Sequence, residues 1–277
     1  MAGITQKSGR KGIFFALSAL LLASVLIALA SGVSDVSSRT RRTATALLDT
    51  DFAANAHADA QAQVAKIMSE WANVTCENNS VSISESLPIK AGFGSDLQTL
   101  SEFYSQYARA NVTVNMTTLA QGSYVIEPQG LEVSHTPELV DFRNPGPGEG
   151  GLVRSINMTL LFPAGAIDSA EWDQLSSAAP GTGMNVSVRV MDASYTVYRT
   201  FTAEVQRDAT SEINISQGGV EVAHVRFYDP SSCQIYHTNM LNLKAMIEMS
   251  NPVYVQAHDN ITASVGRAAK SAPARIC

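Results

Sequence analysis

Residues 13–33 read IFFALSALLLASVLIALASGV and contain no charged side chain. A helix over such a run rises about 31 Å at 1.5 Å per residue, enough to cross the hydrocarbon of a bilayer. The basic residues Lys7, Arg10 and Lys11 precede it and Arg39, Arg41 and Arg42 follow it, with Asp35 between. Positive charge is therefore nearly balanced across the run and does not by itself fix an orientation.

Three fates fit this segment. It can stay as a spanning anchor. It can be a cleaved signal, because Ala28-Leu29-Ala30 before Ser31 has the small-residue exit of one, although the apolar centre is long. The third fate comes from a resemblance. The leader ends in Arg10-Lys11-Gly12 and the apolar run starts at once with Ile13-Phe14-Phe15. This resembles the class III signal of type IV pilin-like surface proteins, archaeal ones especially. The resemblance implies a cut between Gly12 and Ile13, with the apolar helix as the mature N-terminus. It further implies membrane lipid, copies of the same chain or other pilin-like subunits as partners of that helix. Leu17 stands at the fifth position after the cut, where many members of the family carry Glu.

From Ser34 to Ala72 the chain has neither Gly nor Pro. Apolar residues recur at Ala44, Leu48, Phe52, Ala56 and Ala60, then Val64, Ile67, Met68 and Trp71, the spacing of one helical stripe. An unbroken helix from Ile13 to Trp71 would be about 90 Å long, with Gly32 as the place for a bend.

Beyond Cys76 the period shortens to two. Alternating stretches rich in Val, Ile, Thr, Tyr and Phe occupy 81–87, 111–119, 155–162, 184–192, 195–205, 212–216, 220–228 and 251–257. Turn clusters at 145–151, 180–183 and 229–232 separate some of them. Ser95-Asp96-Leu97-Gln98 and Asp168-Ser169-Ala170-Glu171 have the form of capping boxes opening two short helices. The expected fold is mainly β. A basic leader (1–12), a transmembrane helix (13–33) and an amphipathic stalk (34–75) precede an antiparallel β-sandwich-like domain (76–265), and a tail (266–277) closes the chain.

Eight of the fourteen asparagines stand in N-x-S/T sequons: Asn73, Asn78, Asn111, Asn115, Asn157, Asn185, Asn214 and Asn260. With Ser and Thr at about 18% of the chain, chance placement gives about two or three. A strand also produces the motif without glycosylation, because residues i and i+2 share a face. Seven of the eight middle residues are Val, Ile or Met, as that explanation requires. As acceptors, the sequons place the domain outside the membrane, on a single-pass chain at the cell surface.

Three cysteines occur, Cys76, Cys233 and Cys277, with no metal-ligand spacing. The expected bridge is Cys76–Cys233, with pairing of the terminal Cys277 as the alternative.

Nothing in the sequence has a catalytic signature, so the chain is read as non-enzymatic, with no cofactor, catalytic residue or metal site. The five histidines lack H-x-x-x-H spacing, Gly94-Ser95-Asp96 is no nucleophile elbow, and Gly148 to Gly151 lacks a phosphate loop's Lys. A net charge of −6 and a pI near 5.4 argue against nucleic acid. Two further functions fit less directly. One is a tethered or secreted module binding glycan or envelope polymer, with Trp71, Trp172 and tyrosines as a platform. The other is an extracellular hydrolase.

Overall fold

The structure is a computed structural model that describes residues 9–88, 92–107, 111–143, 153–228 and 232–277. The fold is mainly β behind one long helix. Helix α1 (Gly9–Ser69) is continuous, so Gly32 does not interrupt it. At 61 residues it is about 92 Å long. The chain continues through strands β1 (Ala72–Glu77) and β2 (Ser80–Leu87), then helix α2 (Phe93–Tyr107), β3 (Asn111–Val114) and the single-turn α3 (Thr117–Ala120). β4 (Tyr124–Glu127), β5 (Leu131–Thr136), β6 (Leu139–Arg143), β7 (Val153–Leu161) and β8 (Ser169–Gln174) follow. Next are β9 (Met184–Met191), β10 (Val197–Val205), β11 (Ser211–Gln217) and β12 (Val220–Tyr228). The last four strands are β13 (Ser232–His237), β14 (Leu241–Met249), β15 (Tyr254–Val265) and β16 (Ala268–Arg275).

Two sheets form. One runs β1-β2-β14-β7-β9-β10, and the other runs β16-β15-β4-β5-β6-β13-β12-β11-β8, with β3 added on β15. Described pairs are antiparallel except β7 with β9. The inward residues of both sheets share one core, including Val81, Ile83, Leu160, Val188, Ile213, Val225 and Leu243.

The upper part of α1 belongs to that core. Ala53, His57, Ala60, Val64 and Met68 are buried at three- and four-residue steps, packed on β15 and β16. The expected stripe is present only from residue 53, because Leu48 and Phe52 stay exposed. Gly266, in the β15–β16 turn at φ +59°, marks where helix meets domain. Its Cα lies so near the Asp49 carboxylate that a Cβ would sit 2.6 Å from it.

Four expectations need correction. The stalk does not reach residue 75: α1 ends at Ser69, and residues 72–75 begin an edge strand with buried Ala72 and Val74. The tail 266–277 is not a tail. Its residues 268–275 are β16, paired along β15. The sequence from Asp168 is a strand and not a helix. Ala170 is fully buried and Trp172 packs on Phe201 and Phe227 at period two, while the Asp168 carboxylate accepts the Gly219 amide at 2.7 Å. Tertiary packing overrides a local cap signal there. The last correction concerns the stretch 111–119, which splits into β3 and α3.

The Ser95 box lies inside α2, which starts two residues earlier. Its hydroxyl donates to the Gly92 carbonyl at 2.7 Å. The loop 145–151 lies outside the described residues, as does most of 229–232.

Candidate functional site

The apolar helix is the first candidate. Its most hydropathic 18-residue window has none of its residues buried in the domain. Leu20 is 73% exposed and Leu48 69%. By length and composition the helix can cross a membrane. From Val33 to Asp49, where the domain begins, sixteen steps span about 24 Å. Gly12 and Ile13 both lie in the helical backbone of α1.

The disulfide joins Cys76 to Cys277, with Cα atoms 5.7 Å apart. The expected Cys76–Cys233 bridge is therefore wrong. Cys233 is inward on β13, opposite Phe142, and is a free, buried thiol whose pKa burial raises. Cys76 sits near the end of an edge strand, and β16 carries Cys277 to it. This bond ties edge strand β1 of one sheet to the chain end after β16, the edge strand of the other. The opposite corner is closed without a covalent bond. Arg199 on β10 donates to the Ala170 carbonyl of β8 at 2.6 Å, and Tyr198 donates to the Asp168 carbonyl at 2.7 Å. The two sheets are thus joined at both pairs of edge strands, by a covalent bond at one corner and by side-chain hydrogen bonds at the other.

The sequons are sorted by their surroundings. Asn78 forms the β1–β2 turn at φ 49°, a left-handed conformation that Asn tolerates. Asn111 begins β3 and Asn115 follows it, and both are exposed. The Thr117 hydroxyl of the second donates to Asn115 Oδ1 at 2.8 Å. Asn73, Asn185 and Asn260 are exposed on strands, whereas Asn157 and Asn214 are half-buried. Asn214 lies between Glu171 and His224, and its Oδ1 is buried.

The histidines do not converge on a reaction centre. His135 of β5 and Glu85 of β2 form an ion pair across the two sheets, Nε2 to Oε2 3.0 Å, with neither side chain exposed. His135 Nδ1 faces the Gly122 carbonyl. Both ring nitrogens therefore meet acceptors, the pattern of an imidazolium that donates twice. Burial alone would lower the pKa of His135, but the Glu85 carboxylate and the Gly122 carbonyl raise it. Burial lowers the pKa of His57 and of His237. Buried as it is, the His135–Glu85 pair is out of substrate reach and ties the sheets together.

Trp71 is buried against Phe93 and His135, and Trp172 packs on Phe201. Trp71 is therefore no exposed platform, while Trp172 is half-buried at the edge of the core. Among the described residues, no three His, Cys, Asp or Glu side chains gather as a metal site.

One surface depression lies on the outward face of the six-stranded sheet, a shallow cleft of about 500 Å³. Across it run rungs of cross-strand neighbours, one of them Thr75, Ser82, Met246, Asn157, Ser187 and Thr202. No signal in the linear sequence marks this face, since it brings the β1–β2 hairpin beside β7, β9, β10 and β14 from distant parts of the chain.

No family model, curated protein or solved structure matches this chain.

Proposed function

We propose that this chain is a non-enzymatic, membrane-anchored surface protein of pilin-like design, with its β domain held outside the cell on α1. The observation that carries this reading is the apolar length of α1 that the domain leaves uncovered. A run of this kind is stable in water only when lipid or other helices cover it. The Cys76–Cys277 bridge supports export, because such bonds persist in oxidising compartments. The exposed sequons point the same way. On this reading the helix serves as anchor and as the element through which copies of the chain assemble in a surface structure or in adhesion.

The mature N-terminus, read by mass spectrometry on protein from its own cells, tests the proposal. A start at Ile13 supports pilin-type processing, one near Met1 leaves a plain anchored domain, and one at Ser31 would mean a secreted domain and remove the anchor. The same spectra are expected to show sugar mass at Asn78, Asn111 and Asn115 and none at Asn214, whose amide oxygen is buried. Sugar on none of the eight would remove the sequon argument for export.

Assembly has its own test. Leu20→Glu and Leu21→Glu each place a carboxylate in the apolar run, at a penalty of about 2.5–3.5 kcal/mol in lipid. Detergent-resistant multimers, followed by gel migration and electron microscopy, are expected to disappear in both variants. Multimers that survived would show that α1 is not the assembling element.

A further inference from the structure

The outward face of the six-stranded sheet is polarised by rung. One rung reads Asn73, Ser84, Lys244, Thr159, Arg189 and Thr200 from β1 to β10. It holds two cations and no acid. Lys244 and Arg189 are exposed, and neither has a carboxylate within 4 Å among the described residues. They stand two strand steps apart, about 9.6 Å at ~4.8 Å per step.

Carboxylates appear on this face two rungs away, at Glu77, Glu248 and Glu204. That places them about 13–14 Å from the cations. They are also engaged locally: Glu248 accepts the Ser155 hydroxyl at 2.8 Å and Glu204 the Gly183 amide at 2.8 Å. An anionic chain lying across the strands over the basic rung would thus meet both cations and avoid the acids.

We infer that this cleft binds an acidic polysaccharide, laid across the strands with its carboxylates on Lys244 and Arg189. The two-strand separation is close to the length of an extended disaccharide, so a polymer with one acid per disaccharide reaches both cations. The Thr159 hydroxyl stands between the two cations, and Ser84 and Asn73 continue the rung beyond Lys244, where each can meet a sugar hydroxyl. Other occupants fit less well. A neutral glycan would want an aromatic platform, and the cleft lining has no aromatic residue. A nucleic-acid strand would want stacking aromatics and a denser row of cations. A protein partner would want an apolar centre, and only Met246 stands out here.

This inference rests on the outward-facing placement proposed above, but its test does not depend on it. The full chain in detergent micelles is titrated calorimetrically with hyaluronan oligosaccharides and, separately, with neutral chitin oligosaccharides. Hyaluronan is expected to bind, weakening as salt rises, and the neutral chain not to. The Lys244→Gln/Arg189→Gln variant is expected to bind about tenfold more weakly, two exposed charge contacts being lost. Both side chains are exposed, so the variant is expected to fold as the parent does, checked by its melting temperature. Equal binding of both oligosaccharides, unchanged affinity in the variant, or a covalent sugar on Asn73 or Asn157 filling the cleft would overturn the inference. A mature start at Ser31 would remove the anchor and leave the binding result standing.

Discussion

Replacing Cys277 with Ser is expected to destabilise the domain by up to about 5 kcal/mol, the loop-closure term for a bond spanning 201 residues. The loss has a structural counterpart. Cys277 follows edge strand β16, and its carbonyl accepts from Val255 N and from Arg275 Nε. Once the bond is gone, β16 is held by its pairing with β15 and its packing on α1. A last strand held on one side frays more readily than the rest of the sheet. Urea denaturation with and without reductant measures the effect. Reductant is expected to lower the midpoint of the parent chain and of Cys233→Ser, and to leave Cys277→Ser and Cys76→Ser unchanged. Insensitivity in Cys233→Ser, with sensitivity kept in Cys277→Ser, would instead establish the Cys76–Cys233 bond.

That bridge also shows where reading the sequence stopped. Three cysteines at wide separation allow three pairings, and the choice depends on whether residues 266–277 are a tail or a strand. AAKSAPAR has no β-branched residue and one Pro, so nothing local marks it as β. It is a strand because β15 offers a long partner and α1 covers it. β14 was hidden in the same way. LNLKAMIEM is made largely of helix formers, yet its residues alternate between core and solvent in the middle of a sheet. Where apolar alternation and β-branching coincide, as in 184–192 and 220–228, the strands lie where the pattern placed them. The apolar start of α1 was legible because a run of that length has few fates. The basic rung was not, since Lys244, Arg189 and Asn73 are neighbours only after the strands are ordered.

The stalk stripe failed for a different reason. Leu48 and Phe52 repeat at helical spacing as Val64 and Met68 do, but Leu48 lies below the contact of Asp49 with Gly266, and Phe52 lies on the face beside buried Ala53. Periodicity shows which face of a helix is apolar and not what covers it. Leu47 and Leu48 lie about 21–23 Å beyond Val33 at 1.5 Å per residue, past the apolar run and below that contact, while Phe52 flanks the covered stripe. An assembling partner would cover them, as the pilin-like reading requires.

His135→Leu is expected to cost about 3–5 kcal/mol, because it strands the Glu85 carboxylate in the core with its counter-ion gone. Most of that is the penalty of the orphaned charge and not the worth of the pair. Glu85→Leu/His135→Leu removes both charges and should recover the loss in large part, or exceed the parent. The pH dependence has a definite sign. His135 has a pKa raised in the fold, so its contribution is complete below the unfolded value of about 6.5 and is lost as pH rises through the raised one. His57 and His237 have lowered pKa values and act oppositely, removing stability as pH falls below about 6.5. The parent should therefore weaken on both the alkaline and the acid side. The double variant should lose the alkaline decline and keep the acid one. Urea midpoints of parent, single and double variants across pH test this directly. If the double variant is as unstable as His135→Leu, the two groups are not coupled, and shape rather than charge joins the sheets at that point.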